Sequence, residues 1–285
     1  MVSNAKSGAS AAHMYVPATA ERLIVSAGRC VVRTVILDLE DSVAPERKEE
    51  ARGTAAGVLT LMSRTHRVWV RINSAECGQR DLDRLLPLNL AEGFWIPKAE
   101  PGQELDDSAE RIQDAGAGLG LLIESAKGVH NLSDILDRHQ DRGHGVWLQL
   151  GEVDLRADLG MAEGSSDTDR DLDSVRMSIV VAGVTFGVRD IVAPVMTQFT
   201  DPALVKYSSQ HLAALGFTSR ACIHPAQIDP IDQSFLPTAD ELDSARRRLE
   251  ALEAAEASGV GSYLDNDGSM ADTATVRRAR RLLDG

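Results

Sequence analysis

The chain has 285 residues, with 30 basic and 43 acidic side chains and a net charge of −13. That length can bury a full core and suits a single α/β barrel. The charge excludes a general nucleic-acid binder, whose partner's phosphates need the opposite sign, while one local arginine can still serve a small anion.

Residues 1–12, rich in Ser, Ala and Gly, read as a flexible tail. Residues 1–13 lack the apolar core of a secretory leader and no run is long enough to cross a bilayer, so a soluble cytoplasmic protein with no membrane partner is expected. Cys30, Cys77 and Cys222 form no CxxC pair and read as small buried residues in a reducing compartment.

From residue 13 onward, strand and helix patterns alternate. Met14-Tyr-Val-Pro is a short strand, followed by a helix with Thr19 as its expected N-cap. Thr34-Val-Ile-Leu-Asp-Leu-Glu is the second strand, and Asp38, Glu40 and Asp41 lie at its end. Pro45 then opens a charged helix reaching about Met62, at the position where proline is best tolerated. Arg67-Val-Trp-Val-Arg-Ile-Asn, carrying Arg71, and Gly93-Phe-Trp-Ile-Pro-Lys, ending at Lys98, are the third and fourth.

The fifth, Gly118-Leu-Gly-Leu-Leu-Ile-Glu, is apolar without alternation, as in a strand buried on both faces, and ends at Glu124. The sixth has the same design, with Val146-Trp-Leu-Gln-Leu-Gly leading to Glu152-Val-Asp154. After a polar loop over 160–171 come an apolar helix near 172–186, a strand Asp190-Ile-Val-Ala-Pro-Val and a helix from Pro202 to Leu215. The eighth strand is Arg220-Ala-Cys-Ile-His-Pro. Eight strands alternating with helices predict an α/β protein, a (β/α)8 TIM barrel. It spans 13–237, and 238–285 form a C-terminal helix and lid segment.

On that barrel Glu40, Arg71, Lys98, Glu124, Asp154 and His224 fall at or just past strand ends and would converge on one mouth, where barrel active sites form. Two carboxylates without His or Cys suit Mg²⁺, which takes oxygen ligands and keeps waters that a substrate can displace. A 2-oxo acid fits such a site, with Arg71 pairing its carboxylate. The plainer reading is that Glu124 and Asp154 favour the starts of the helices that follow them. By pattern alone His224 could close the rim by hydrogen bonding, Arg22 and Lys48 sit on solvated faces, and Asp272 is unremarkable.

The motifs Tyr15-Val-Pro with Glu21-Arg22-Leu23, Ile36-Leu-Asp-Leu-Glu-Asp-Ser-Val-Ala-Pro with Lys48, Val70-Arg-Ile-Asn, Ile96-Pro-Lys, Leu122-Ile-Glu-Ser-Ala-Lys-Gly, Leu150-Gly with Asp154-Leu, and Ala221-Cys-Ile-His-Pro-Ala-Gln occur in a set order over nearly the whole chain. In this the sequence resembles the citrate lyase β-subunit-like (CitE-like) family of the HpcH/HpaI aldolase superfamily, relatives of malyl- and citramalyl-CoA lyases. The resemblance implies a Mg²⁺-dependent lyase acting on a hydroxyacyl-CoA, giving or using a 2-oxo acid and an acetyl-CoA-like thioester. It implies Glu124 and Asp154 as metal ligands and Arg71 as the carboxylate-binding residue, with Glu40 beside the metal and Arg22 and Lys48 as substrate-binding candidates. It also implies a homotrimer or hexamer in which Asp272, in Gly268-Ser-Met-Ala-Asp, acts as acid and base from a lid over a neighbouring copy.

Three departures stand out. Gly151-Glu-Val-Asp154 replaces the family's Gly-Ala-Glu-Asp, Val192-Ala193 stand where an Ile-Asp-Gly pattern is common, and Pro17-Ala-Thr-Ala20 replaces Pro-Gly-Asn-Arg. Two other readings therefore stay open: an aldolase on free hydroxy acids without CoA, and a catalytically degenerate accessory protein.

Overall fold

The computed structural model describes residues 10–30, 32–161 and 170–251, the backbone alone of 252–257, 262–264 and 270–272, and residues 280 and 283. Eight parallel strands close into a barrel in sequence order. They are β1 (Ala12–Pro17), β2 (Thr34–Asp38), β3 (Arg67–Arg71), β4 (Gly93–Ile96), β5 (Gly118–Ile123), β6 (Val146–Leu150), β7 (Asp190–Ala193) and β8 (Ser219–Cys222). The barrel closes where Ala12, His13 and Met14 of β1 pair with Arg220, Ala221 and Cys222 of β8. The helices that concern the site are α1 (Glu21–Ala27), α2 (Lys48–Met62), α3 (Ala75–Leu85), α4 (Gln103–Asp114), α5 (Ala126–His130), α6 (Leu132–Arg138), α7 (Glu152–Asp158) and α8 (Asp173–Thr185). This is the expected TIM barrel, and its strand ends set where functional side chains can lie.

Seven strands each send one residue into a single buried cluster: Tyr15, Ile36, Trp69, Trp95, Trp147, Val192 and Ala221. The ring centroids of Trp69 and Trp95 lie 5.5 Å apart, and those of Trp69 and Trp147 lie 4.6 Å apart at 65°. Three indoles at one level leave no room for side chains from β5. A Cβ on Gly118 would come within 2.7 Å of Trp69 and 2.8 Å of Trp147, and one on Gly120 would meet the Trp95 indole well inside contact distance. The glycines of Gly118-Leu-Gly are therefore the space that the tryptophans fill.

At the opposite end from the mouth, Asp190 at the start of β7 lies 3.2 Å from His13 Nε2 and accepts hydrogen bonds from Thr218 and from Ser219 at 2.8 Å. Burial opposes its charge, but His13, Thr218 and Ser219 outweigh it and hold the carboxyl below its ordinary 3.8. A depressed carboxyl contributes stability above its unfolded pKa and loses it as the pH falls through the folded value. Asp190→Asn is thus expected to cost about 2–4 kcal/mol at neutral pH, with the deficit shrinking below pH 3.8, as read by urea unfolding across pH. An equal deficit at pH 7 and pH 3 would contradict this account.

Several local expectations change. Residues 10–12, expected in the tail, join the barrel: Asp232 accepts hydrogen bonds from the Ser10 hydroxyl at 3.0 Å and the Ala11 N–H at 2.8 Å, and Ala12 begins β1. The N-cap of α1 is Ala20 rather than Thr19, and no side chain caps it. Of the three cysteines only Cys222 is buried, and burial pushes its thiol up to about 12; Cys30 and Cys77 are half-buried. By contact the chain divides into two compact units, 1–235 and 236–285. The second holds a helix, Ala239–Ala257, and an antiparallel strand pair, Ser262–Leu264 with Met270–Asp272. Among the described residues no helix is long and apolar enough to cross a membrane.

Candidate active site

The second strand places a run of acids at the mouth. Asp38, at the end of β2, accepts the Glu40 and Ser42 N–H groups at 2.9 and 3.2 Å, which folds the following loop back over the barrel. Lys48, at the start of α2, donates to the carbonyls of Leu39 and Glu40 at 2.7 and 2.6 Å. Its ammonium braces this loop. Arg22, the other early cation, is exposed on α1.

Arg71 ends β3, the strand next to β2. Its Nε and Nη2 donate to the two oxygens of Asp38, each at 2.7 Å, a bidentate pair that fixes the plane of the guanidinium. Nη1 points to Glu40 Oε2 at 3.1 Å and lies 3.7 Å from Asp41. The Tyr15 ring supports the guanidinium from 5.2 Å, and the Tyr15 hydroxyl donates to Gln149 Oε1 at 2.9 Å. Burial pushes the Glu40 carboxyl up against the opposing pull of Arg71 and Lys98. The Lys98 ammonium lies 2.5 Å from Glu40 Oε1.

Glu124 follows β5 directly, and its carboxylate does not cap its own helix. That cap is Ser125, whose hydroxyl accepts from the Gly128 N–H at 3.0 Å, while Glu124 Oε1 accepts the Lys98 N–H at 2.7 Å. Gly151, just past β6, has room only for hydrogen: a Cβ there would sit 2.7 Å from Glu124 Oε2. Burial, then Glu40 and Asp154, pushes the Glu124 carboxyl up to about 8. Asp154 lies in the first turn of α7 and is half-buried.

The displaced acid of the sixth strand turns away from this group. Glu152 is buried and takes a bidentate pair from the buried Arg176 of α8, at 2.6 and 2.8 Å. It locks α7 to α8. His224 also stays out of the cluster. Its Nδ1 accepts the Ala226 N–H at 3.1 Å, and its ring stacks on Phe199 at 4.6 Å, which is the rim-closing role. The side chain of Asp272 lies outside the described residues.

The donor set fits magnesium. Among the described residues no group of three or more His, Cys, Asp or Glu gathers around one point. The carboxylates of Glu124 and Asp154 are hard oxygen donors of the kind Mg²⁺ takes, and two such ligands would leave other positions for water and substrate. A buried carboxylate with two acids nearby also gains from a cation. The sequence pattern marks the acids and Arg71 as site residues but assigns no role to Asp38, Tyr15 or Gln149. The signal for Asp38 lay in the acidic end of the second strand; Tyr15 and Gln149 meet only across the closed barrel.

A parallel barrel whose mouth sets buried acids beside a fixed guanidinium has the layout of an α/β-barrel enzyme site. The family model described as HpcH/HpaI aldolase/citrate lyase matches residues 11–225. The chain belongs to this family and is a carbon–carbon lyase. It is 30% identical to the mitochondrial citramalyl-CoA lyase of Rattus norvegicus, over 95% of this chain and 84% of the rat one. With a citrate lyase subunit beta-like protein of Deinococcus radiodurans it shares 29% identity, covering 95% of each chain. Among solved structures, CitE from Mycobacterium tuberculosis in complex with magnesium, acetoacetate and coenzyme A superimposes with a TM-score of 0.73, at 28% identity and 96% of both chains.

Proposed function

We propose that the chain is a Mg²⁺-dependent lyase that cleaves or forms the C–C bond of a malyl-, citramalyl- or citryl-type acyl-CoA. Cleavage gives a 2-oxo acid and an acetyl-CoA-like thioester. The observation that carries this reading is the placement of Glu124 and Asp154 just past the neighbouring strands β5 and β6, at the mouth where Glu40 lies against Arg71 and Lys98. The names of the similar proteins support the substrate class, one being a citramalyl-CoA lyase and another binding magnesium and coenzyme A.

Glu124 and Asp154 hold the magnesium, which when bound supplies a Lewis acid for the oxygens of the hydroxy or oxo acid. Arg71, fixed by Asp38, pairs with the substrate carboxylate through Nη1. Glu40 and Asp41 orient that guanidinium from its other side. In cleavage a base takes the hydroxyl proton, the C–C electron pair passes into the thioester enolate, and Asp272 protonates the enolate carbon. In synthesis Asp272 removes the methyl proton and the enolate attacks the carbonyl. Arg22, exposed on α1, binds substrate, and Lys48 acts by bracing the loop that carries Glu40. The barrel, which begins at Ala12, is the catalytic body, and the C-terminal segment brings Asp272 to a neighbouring copy in a cytoplasmic trimer or hexamer.

Purified protein with Mg²⁺ and citramalyl-CoA or malyl-CoA is expected to release acetyl-CoA and the matching 2-oxo acid, and to stop when EDTA is added. No thioester product from either substrate would sink the reading. Cleavage of the free hydroxy acid alone would assign the CoA-independent aldolase instead.

A further inference from the structure

Lys98 directly follows Pro97 at the end of β4 and has φ of +49°, in the left-handed region. A lysine is strained there and a glycine is not, which draws attention to what its side chain does. Two contacts explain it. The left-handed turn aims the Lys98 N–H at Glu124 Oε1, 2.7 Å away. The ammonium lies 2.5 Å from Glu40 Oε1 and 3.8 Å from Asp41. Glycine at this position would make the first contact and lose the second.

Glu40 is the link to the rest of the mouth. Its carboxylate lies between two cations, Lys98 on Oε1 and Arg71 Nη1 on Oε2 at 3.1 Å. Without the lysine, Arg71, held in plane by Asp38, is the cation left beside this buried acid, and the Glu40 carboxylate would shift onto Nη1. The Lys98 side chain is 45% exposed, so the same ammonium also faces the open mouth.

Resting on the function proposed above, we infer that Lys98 is a positioning residue: its N–H holds one oxygen of Glu124 while its ammonium holds Glu40, which keeps Arg71 available to the substrate carboxylate. The two halves separate by substitution. Lys98→Gly and Lys98→Met both keep the N–H, and both lose the ammonium.

The test is calorimetric titration of the full chain with Mg²⁺ and with pyruvate in the presence of Mg²⁺, alongside melting temperatures. Both variants are expected to bind Mg²⁺ at least as tightly as the parent, a nearby positive charge being gone, and pyruvate about tenfold more weakly, the loss of one charge-assisted contact. Lys98→Gly should melt at or above the parent temperature, and Lys98→Arg should restore most of the pyruvate affinity. Parent-like pyruvate binding in both variants, or weakening that only follows a fall in melting temperature, would overturn the inference. A parent that binds neither probe would refute the proposed function instead. The clamp is then judged by a crystal structure of the Lys98→Met variant: a displaced Glu40 carboxylate supports it, and an unmoved one refutes it.

Discussion

Replacing Glu124 by Gln is expected to lower turnover of the acyl-CoA substrate by roughly a thousandfold, about 4 kcal/mol of lost transition-state stabilisation. The amide keeps the size of the side chain, and its carbonyl can still accept the Lys98 N–H that Glu124 Oε1 accepts at 2.7 Å. What disappears is the negative charge proposed to hold magnesium. The fold is not expected to suffer. Burial and the nearby acids push this carboxyl up to about 8, so in the metal-free protein the charge is a burden on the folded state rather than a support. The variant should therefore melt no lower than the parent without metal, and should gain less from added Mg²⁺. Steady-state kinetics with melting curves at two metal concentrations check both halves. Parent-like turnover would remove Glu124 from the metal site.

The second large effect lies in the barrel interior. Gly120→Val puts a branched side chain where Trp95 already lies against the backbone of β5. Overpacking of a closed core costs about 1–3 kcal/mol, and this site belongs at the upper end because a parallel barrel cannot open locally to relieve the clash. Denaturant unfolding should show a lower midpoint. Combining Gly120→Val with Trp95→Leu should recover part of the loss, because the double variant returns volume to the same space. Strictly additive losses would show that the two positions do not share it.

Much of the barrel is legible in the sequence because each strand carries its own local signal. The unbroken apolar run before Glu124 marks a strand covered on both faces, and Pro194 marks the end of β7, which closes at Ala193. Pro202 announces a helix start, which the Asp201 side chain caps by accepting from the N–H groups of Ala203 and Leu204. Thr19 failed as a cap because Ala20 takes that position, a shift of one residue that composition alone does not resolve. Residues 10–12 were misread for a different reason. Their order comes from Asp232, 221 and 222 positions away in sequence from the groups it binds.

The same division holds at the mouth. Which residue types end the strands can be read from the strand patterns alone: acids after β2, β5 and β6, and cations at the ends of β3 and β4. Strand periodicity and the barrel rule place those ends on one rim. Who pairs with whom depends on the closed barrel. It gave Asp38 to Arg71, sent Glu152 away to Arg176, occupied Lys48 with backbone carbonyls and turned His224 into a rim cap. It also gave the Gly118-Leu-Gly-Leu-Leu-Ile-Glu run its second meaning, since the glycines hold space for tryptophans from other strands. The physical reason is range. Hydrophobic burial is written into each strand's own pattern, whereas hydrogen bonds, ion pairs and close packing act over a few ångströms between residues that only the closed barrel brings together.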